Sequence, residues 1–176
     1  MLVLRDALPA DALDVARVHV RAWQHGYRGL LPAAYLEALR PEDRSQRYRF
    51  DSNDPQQPRT LVASLDDVVR GFATIGPSHD ADLPDVGMLD ALYVDPDWWG
   101  RGIARALIAE ARVRLRALGY WQAALWVLVG NDRAQSLYRA DGWLPDGAQQ
   151  LQHVWGTAVD VVRFRTSLEA IRPIQG

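Results

Sequence analysis

The stretch "LDALYVDPDWWGRGIARALIAEA" limits the possible fold more than any other part of this chain. Its first half is apolar and stops at Pro96, as a buried strand does. Its second half repeats apolar residues at the three-to-four-residue spacing of a helix. Between the halves lie Gly100 and Gly102, separated by Arg101. A strand that turns into a helix through glycines is typical of an α/β domain, in which the helix packs back on the sheet.

The glycine turn opens onto a helix N-terminus, which carries unpaired N–H groups and the positive end of the helix dipole. Because Gly100 and Gly102 lack a Cβ atom and Ala104 is small, a pyrophosphate could approach this backbone closely. Arg101 and Arg105 would add positive charge beside it. The spacing by itself favours an ordinary tight turn over a phosphate site.

Two common nucleotide-binding motifs do not fit this sequence. A P-loop requires a lysine, and all 20 basic residues of the chain are arginine. A dinucleotide-binding fingerprint requires a glycine three residues after Gly102, where this chain has Arg105. The lack of lysine also excludes a Schiff-base lysine, and the lack of cysteine excludes a thiolate nucleophile, a thiolate metal site and disulfides.

The composition is that of one soluble globular domain. The chain has 176 residues, of which 48% are hydrophobic and 24% charged, and its net charge of −2 offers no basic surplus for a nucleic-acid partner. The most apolar run, "AALWVLVG", is too short to cross a membrane, and the first residues do not resemble a signal peptide. We therefore expect a cytoplasmic protein with neither a nucleic-acid nor a membrane partner.

Local patterns predict elements in the order β-α-α-β-β-β-α-β-α-β-β. Strands are expected at residues 2–8, 59–66, 68–76, 86–95 and 120–129, with two more around a turn at Gly156; helices are expected at 9–26, 31–40, 101–118 and 131–142. Residues 41–58 are polar and typical of a loop. The buried stripe of the third helix is expected to be Ala104, Ile108, Ala111, Leu115 and Leu118.

The glycine turn and its helix resemble the acyl-CoA-binding core of the GNAT superfamily of N-acetyltransferases. The family motif, Gln/Arg-x-x-Gly-x-Gly/Ala, aligns with Trp99 to Ala104: Gly102 and Ala104 match, whereas Trp99 replaces the polar residue. "WVLVGNDRAQSLYRADGW" is similar to the family's next block, and "AWQHGYRGLLPAAYLEAL" to one bacterial branch. The resemblance implies a single GNAT-like domain over residues 1–176, with a mixed, mostly antiparallel sheet flanked by helices. We expect the ring of Trp99 to fold onto the core.

By resemblance, the protein transfers an acetyl group from acetyl-CoA directly to a primary amine of a small molecule or peptide, without a metal. Two copies could pair through the C-terminal strands, as similar proteins do. The implied cofactor-binding residues are Leu92, Tyr93 and Val94 on the strand, Gly100, Arg101, Gly102, Ile103, Ala104 and Arg105 at the turn, and Asn131, which is also expected to cap the last helix.

Tyr138 occupies the position of the family's usual general acid. Since a thiol titrates near ~8.5 and a phenol near ~10, proton transfer from this tyrosine to the CoA thiolate is modestly uphill. Tyr138 could instead simply pack on its helix beside Leu137 and Trp143.

The general base is less clear, because many family members have a glutamate where this chain has Met88. Strand alternation places Met88, Asp90 and Leu92 on one face, so Asp90 is a candidate base, directly or through water. Asp90 could equally be a salt-bridged strand residue. A non-catalytic acyl-CoA-binding sensor is therefore the alternative function.

The acceptor pocket of the family lies between the first two helices and the last hairpin. By that resemblance, Trp23, Tyr27 and Trp155 are candidates to line it, although each could belong to the core. His25 and the acidic segment "SHDADLPD" are further candidates to handle a cationic amine. The sequence does not identify the acceptor.

Overall fold

A computed structural model of the protein describes residues 1–169. Its seven strands form one sheet in the order β1-β2-β3-β4-β5-β7-β6, and every neighbouring pair except β4–β5 is antiparallel. The strands are β1 (Leu2–Asp6), β2 (Arg59–Leu65), β3 (Val68–Pro77), β4 (Gly87–Val94), β5 (Gln122–Leu128), β6 (Leu144–Val154) and β7 (Thr157–Ser167). The expectation of a mixed, mostly antiparallel sheet flanked by helices is confirmed.

Helices cover both faces of the sheet, because alternate residues of its strands are apolar on each side. The helices are α1 (Ala12–Gly26), α2 (Ala33–Ala38), α3 (Pro41–Ser45), α4 (Ile103–Ala117) and α5 (Asp132–Ala140). Val15 and Val18 of α1 pack in one cluster with Phe72, whereas Leu107 and Ile108 of α4 pack in the cluster on the other side. None of the helices in residues 1–169 combines the length and the apolar character needed to cross a membrane.

Two helix predictions are corrected by the structure. α3 lies within the predicted loop. Pro41 at its first turn and the acidic residues that follow favour a helix there, although the segment lacks the apolar periodicity by which a helix is predicted. α4 begins at Ile103 rather than at residue 101, because Gly102 at its N-cap is left-handed. Its last expected core residue, Leu118, is 38% exposed, and Ile103 and Leu107 are buried instead.

The parallel pair β4–β5 is the feature that creates the site. Among the described residues the two strands are in register at two positions only, Gly87 with Ala123 and Met88 with Ala124. Beyond these pairs β4 stays with β3 and β5 stays with β7, so the sheet splits into two halves. A wedge-shaped gap opens between them toward the glycine turn.

Candidate active site

The gap between β4 and β5 is a cleft of about 770 Å³. The predicted site residues that line it are Asp90, Leu92, Tyr93, Val94, Gly100, Gly102, Ile103, Ala104, Arg105, Asn131 and Tyr138. Arg101 does not line the cleft, because its guanidinium lies over the ring of Trp98, 4.6 Å from the ring centroid. Chain segments far apart in sequence are thus brought together along one opening.

The backbone of the glycine turn has a conformation that other residues adopt only with strain. Gly100 has φ 74° and Gly102 has φ 83°, both in the left-handed region. A Cβ atom added to either would meet no other group of the described residues within 4 Å. Glycine is therefore required here by the backbone angle, and the space in front of the turn is open. The first N–H groups of α4 begin at this turn and have no acceptor within the helix.

Trp99, the departure from the family motif, folds onto the core as expected. Its Nε1–H donates a hydrogen bond of 2.8 Å to the carbonyl of Val94, and its ring packs against the apolar cluster beneath α4. The imidazole of His25 lies nearly perpendicular to the same ring, with 5.0 Å between centroids. The indole thus supplies one partner for a strand carbonyl that β5 leaves unpaired, and its ring forms part of the cleft wall.

Arg133 is a cleft residue that sequence reasoning missed. Its guanidinium lies 3.3 Å from the centroid of the Trp99 ring, and burial lowers its pKa from the ordinary value. Within residues 1–169, neither Arg133 nor Arg105 has a carboxylate partner. The available signal was its position two residues after Asn131, whose side chain accepts from the N–H of Ala134 at 3.2 Å and so caps α5 as predicted.

A β-bulge at Asp90 overturns the prediction that Met88, Asp90 and Leu92 share one face. Ile75 of β3 pairs with Leu89 and the preceding Thr74 pairs with Ala91, which leaves Asp90 as an extra residue. Because a bulge inserts one residue, the alternation of side chains reverses across it.

The side chains on either side of the bulge show this reversal. Met88 is 4% exposed in a cluster with Val86, Ala124 and Trp126, whereas Leu92 packs on the opposite side, beneath α4. Met88 is therefore a packing residue of the sheet. Met88 and Asp90 both line the cleft, and Asp90 brings the ionisable group.

The carboxyl group of Asp90 is reached by water, yet it lies in a recess surrounded by protein atoms. Desolvation in this recess raises its pKa to about 7, and the negative charge of Asp80 contributes to the same shift. No arginine of the described chain forms an ion pair with Asp90. The carboxylate is thus placed as a proton acceptor near neutral pH rather than as half of a salt bridge.

The acidic segment between β3 and β4 reaches the same cleft. Asp80, in the loop of residues 78–86, lines the cleft and accepts a hydrogen bond of 3.0 Å from the Nε1–H of Trp126 on β5. Two carboxyl groups, those of Asp80 and Asp90, therefore lie in the cleft wall.

Tyr138 lies in the cleft wall and in the apolar core at once. It is 8% exposed, and its ring centroid lies 6.2 Å from that of Trp143 and 6.4 Å from that of Phe164. Burial raises its pKa well above the ordinary value, and the nearby phenol of Tyr93 adds to the effect. Its hydroxyl is therefore a neutral hydrogen-bond donor at any working pH, and full release of its proton is more uphill than for a free phenol.

The aromatic acceptor candidates divide into two groups. Trp23, Tyr27 and His25 of the α1 segment line the cleft, and the hydroxyl of Tyr27 lies 3.3 Å from that of Tyr93. Trp155 lies behind this wall, where its ring stacks on that of Trp23 with 4.2 Å between centroids.

Charge is distributed unevenly along the cleft. Arg105 and Arg133 lie near the glycine turn, whereas Asp80 and Asp90 lie toward the point where β4 and β5 meet. Asp90 lies four positions before Val94 along β4, which corresponds to roughly 13 Å. The described residues contain no group of His, Asp and Glu side chains suited to hold a metal ion. The arrangement suits a ligand that is anionic at one end, next to a second ligand that is cationic.

Comparisons with known proteins agree with this geometry. Residues 21–143 match the model of the Acetyltransferase (GNAT) family. The chain is 28% identical over 133 residues to the uncharacterized N-acetyltransferase YuaI of Bacillus subtilis, covering 74% of each protein. It is 29% identical over 144 residues to the aminoglycoside N(6')-acetyltransferase type 1 of Stenotrophomonas maltophilia, covering 80% of this chain and 84% of that protein. The structure of yncA from Salmonella typhimurium, solved with acetyl-CoA, superposes with a TM-score of 0.71 at 19% identity over 100% of this chain and 99% of that one.

Proposed function

The chain belongs to the GNAT family of acetyltransferases, and from this membership we propose that it transfers an acetyl group from acetyl-CoA to a primary amine of a cationic small molecule or peptide. The observation that carries the proposal is the separation of positive and negative side chains along the cleft. Two arginines with no ion-pair partner in residues 1–169 flank the glycine turn at one end, and two carboxyl groups lie at the other.

The glycine-turn end suits the phosphates of acetyl-CoA. Gly100 and Gly102 hold the backbone in a conformation that leaves the amide groups at the start of α4 open to an anion. Arg133 and Arg105 supply positive charge, and neither is held by a carboxylate of the described residues. From there the edge of β4 that β5 does not pair with, residues 92–94, leads toward Asp90 and offers backbone groups to the pantetheine arm and the acetyl carbonyl.

The transfer itself needs a neutral amine, a stabilised oxyanion and a protonated leaving group. The amine nitrogen attacks the acetyl carbonyl carbon; as the C–N bond forms and the C–S bond breaks, the bonding pair leaves with sulfur. Asp90, whose pKa of about 7 suits a base at neutral pH, accepts the proton that the nitrogen loses. Tyr138 donates its hydrogen bond to the departing thiolate and then its proton. Asp90 then releases its proton to solvent and the phenolate of Tyr138 takes one up, which restores both groups. The products are the N-acetyl amine and CoA thiol.

The acceptor end suits a cation. Asp80 and Asp90 lie in its wall, and the side chains of Trp23 and Tyr27 provide apolar surface on the side of α1. One relative of this chain is named for acetylating aminoglycosides, which carry several amines, and that name makes polyamines the first acceptors to test.

The test combines binding with turnover. Acetyl-CoA should raise the melting temperature of the protein, and release of CoA thiol should then be measured with an aminoglycoside, a linear diamine, a short peptide and an uncharged hydroxylated compound as control. We expect turnover with at least one cationic amine and none with the control. A thermal shift without turnover on any amine would favour the non-catalytic sensor. Absence of a shift, with no competition by CoA, would refute the proposal.

A further inference from the structure

Three carboxylates converge on one buried guanidinium outside the cleft, that of Arg163 on β7. The side chain of Arg163 is 7% exposed. Its Nη1 and Nη2 groups donate to Asp82 at 2.9 and 2.7 Å, Nη1 also donates to Asp80 at 3.1 Å, and Nε donates to Asp146 at 2.8 Å. Asp80 and Asp82 lie in the loop of residues 78–86, and Asp146 lies on β6.

This cluster joins the two halves of the split sheet. The loop of residues 78–86 connects β3 to β4 in one half, whereas Arg163 and Asp146 belong to the strands of the other half. Of the three carboxylates, only that of Asp80 lies in the cleft wall, where it also accepts from Trp126. Arg163 therefore fixes the place of one cleft residue from outside the cleft.

We infer that Arg163 is a positioning residue, which holds Asp80 in the same part of the cleft as Asp90. Two carboxyl groups then face the incoming amine: that of Asp80, which is ion-paired with Arg163, and that of Asp90, which forms no ion pair within residues 1–169. Calling this region the acceptor end rests on the proposed function; the geometry of the cluster does not. Asp80 is assigned to attract the positive charge of the acceptor, and Asp90 to take the proton. The single positive charge of Arg163 offsets only part of the charge of three carboxylates, so the region stays attractive to a cation.

The effect of Arg163 on Asp90 can be measured through the charge of Asp80. The other titratable groups that line the cleft are His79 in the same loop, His25 on α1, Tyr27 directly after α1, Tyr93 on β4, Arg105 on α4, and Arg133 and Tyr138 on α5. Asp80, rather than any of these groups, is the charged residue that raises the pKa of Asp90. Arg163 lies directly against Asp80 and partly cancels its charge.

The test is a pH titration of the Asp90 carboxyl group in the protein without substrate. The ¹³C chemical shift of labelled aspartate reports the titration, and the Asp90 signal is identified by its loss in Asp90→Asn. Asp80→Asn should lower the pKa of Asp90 by roughly one unit, the size expected for removing one charge several ångströms away. Arg163→Gln should raise it, because Asp80 then loses its counter-charge. The double variant Asp80→Asn/Arg163→Gln should titrate like Asp80→Asn alone, because Arg163 acts through Asp80.

Two further variants guard against a structural explanation. Asp85→Asn removes the same charge from an exposed position of the same loop and should leave the titration unchanged. Arg163→Lys keeps the positive charge and should hold the pKa of Asp90 below that of Arg163→Gln; if Arg163→Gln does not fold, Asp80→Asn and Arg163→Lys decide the question.

The inference is overturned if Asp80→Asn leaves the pKa of Asp90 unchanged, or if Arg163→Gln changes it equally with and without Asp80. With an amine that is turned over, Arg163→Gln should raise the KM for the amine at least several-fold and leave the KM for acetyl-CoA unchanged. Should no amine be acetylated, the proposed function fails, and the titration still decides the role of Arg163.

Discussion

Gly102→Ala tests the assignment of the glycine turn to acetyl-CoA. Gly102 has φ 83°, and a Cβ atom there would contact no other group of the protein within 4 Å, so the whole cost to folding is backbone conformation. A non-glycine residue in the left-handed region costs about 1–2 kcal/mol. In a protein of this size each 1 kcal/mol lowers the melting temperature by about 2–4 °C, so we expect a decrease of about 2–8 °C.

Gly119 provides the matched control. It has φ 100°, a Cβ atom there would likewise meet nothing within 4 Å, and it follows the opposite end of α4, away from the cleft. Gly119→Ala should therefore lower the melting temperature by a similar amount. Only Gly102→Ala puts a methyl group into the open space in front of the turn, where we place the pyrophosphate.

The two variants should differ in their affinity for acetyl-CoA. A methyl group that displaces one phosphate oxygen from a backbone N–H removes a charge-assisted hydrogen bond worth about 1.5–3 kcal/mol, which corresponds to a Kd roughly 10- to 150-fold higher. Isothermal titration calorimetry with acetyl-CoA measures the Kd, and urea unfolding measures the stability. Equal acetyl-CoA affinities in Gly102→Ala and Gly119→Ala would refute the assignment of the turn.

Three further predictions concern the chemistry. Because Asp90 has a pKa of about 7 and acts deprotonated, kcat/KM should rise about tenfold from pH 6 to pH 8; Asp90→Asn should remove this rise and lower kcat by about 10²–10⁴-fold, and an unchanged profile would exclude Asp90 as the base. Tyr138→Phe should lower kcat while leaving the KM for acetyl-CoA nearly unchanged, and unaltered turnover would remove its role as the acid. Arg133→Gln should raise the KM for acetyl-CoA, whereas Arg116→Gln, whose guanidinium stacks on Trp121 elsewhere, should not; equal effects would contradict a phosphate role for Arg133.

The strand, the glycine turn and the start of α4 could be predicted because their signals are local. Proline stops the strand, glycine permits a left-handed turn, and apolar spacing defines the helix, so each decision depends on a few consecutive residues. The capping role of Asn131 was predictable for the same reason, since a cap acts within three residues of itself.

The bulge at Asp90 and the grouping of arginines could not be predicted in this way. Whether β4 keeps strict alternation depends on its register with β3, which the letters of β4 do not contain. Arg133 is one of 20 arginines, and its position two residues after Asn131 does not show that it will lie above Trp99. Arg163 meets carboxylates about 80 and 17 positions away, a convergence that exists only once the two halves of the sheet are folded.

The early separation of β4 and β5 gives this sheet more edges than a continuous sheet has. β1 and β6 are its outer edges, and beyond Gly87 and Met88 the facing sides of β4 and β5 form two inner edges with unpaired backbone groups. Exposed edges commonly invite pairing with another chain, but these two face each other across a narrow gap. Because both edges line the cleft, a ligand bound between β4 and β5 would take the place of the missing strand partner. On the outside of the sheet such unpaired edges would favour aggregation, whereas inside the cleft they would face a bound ligand.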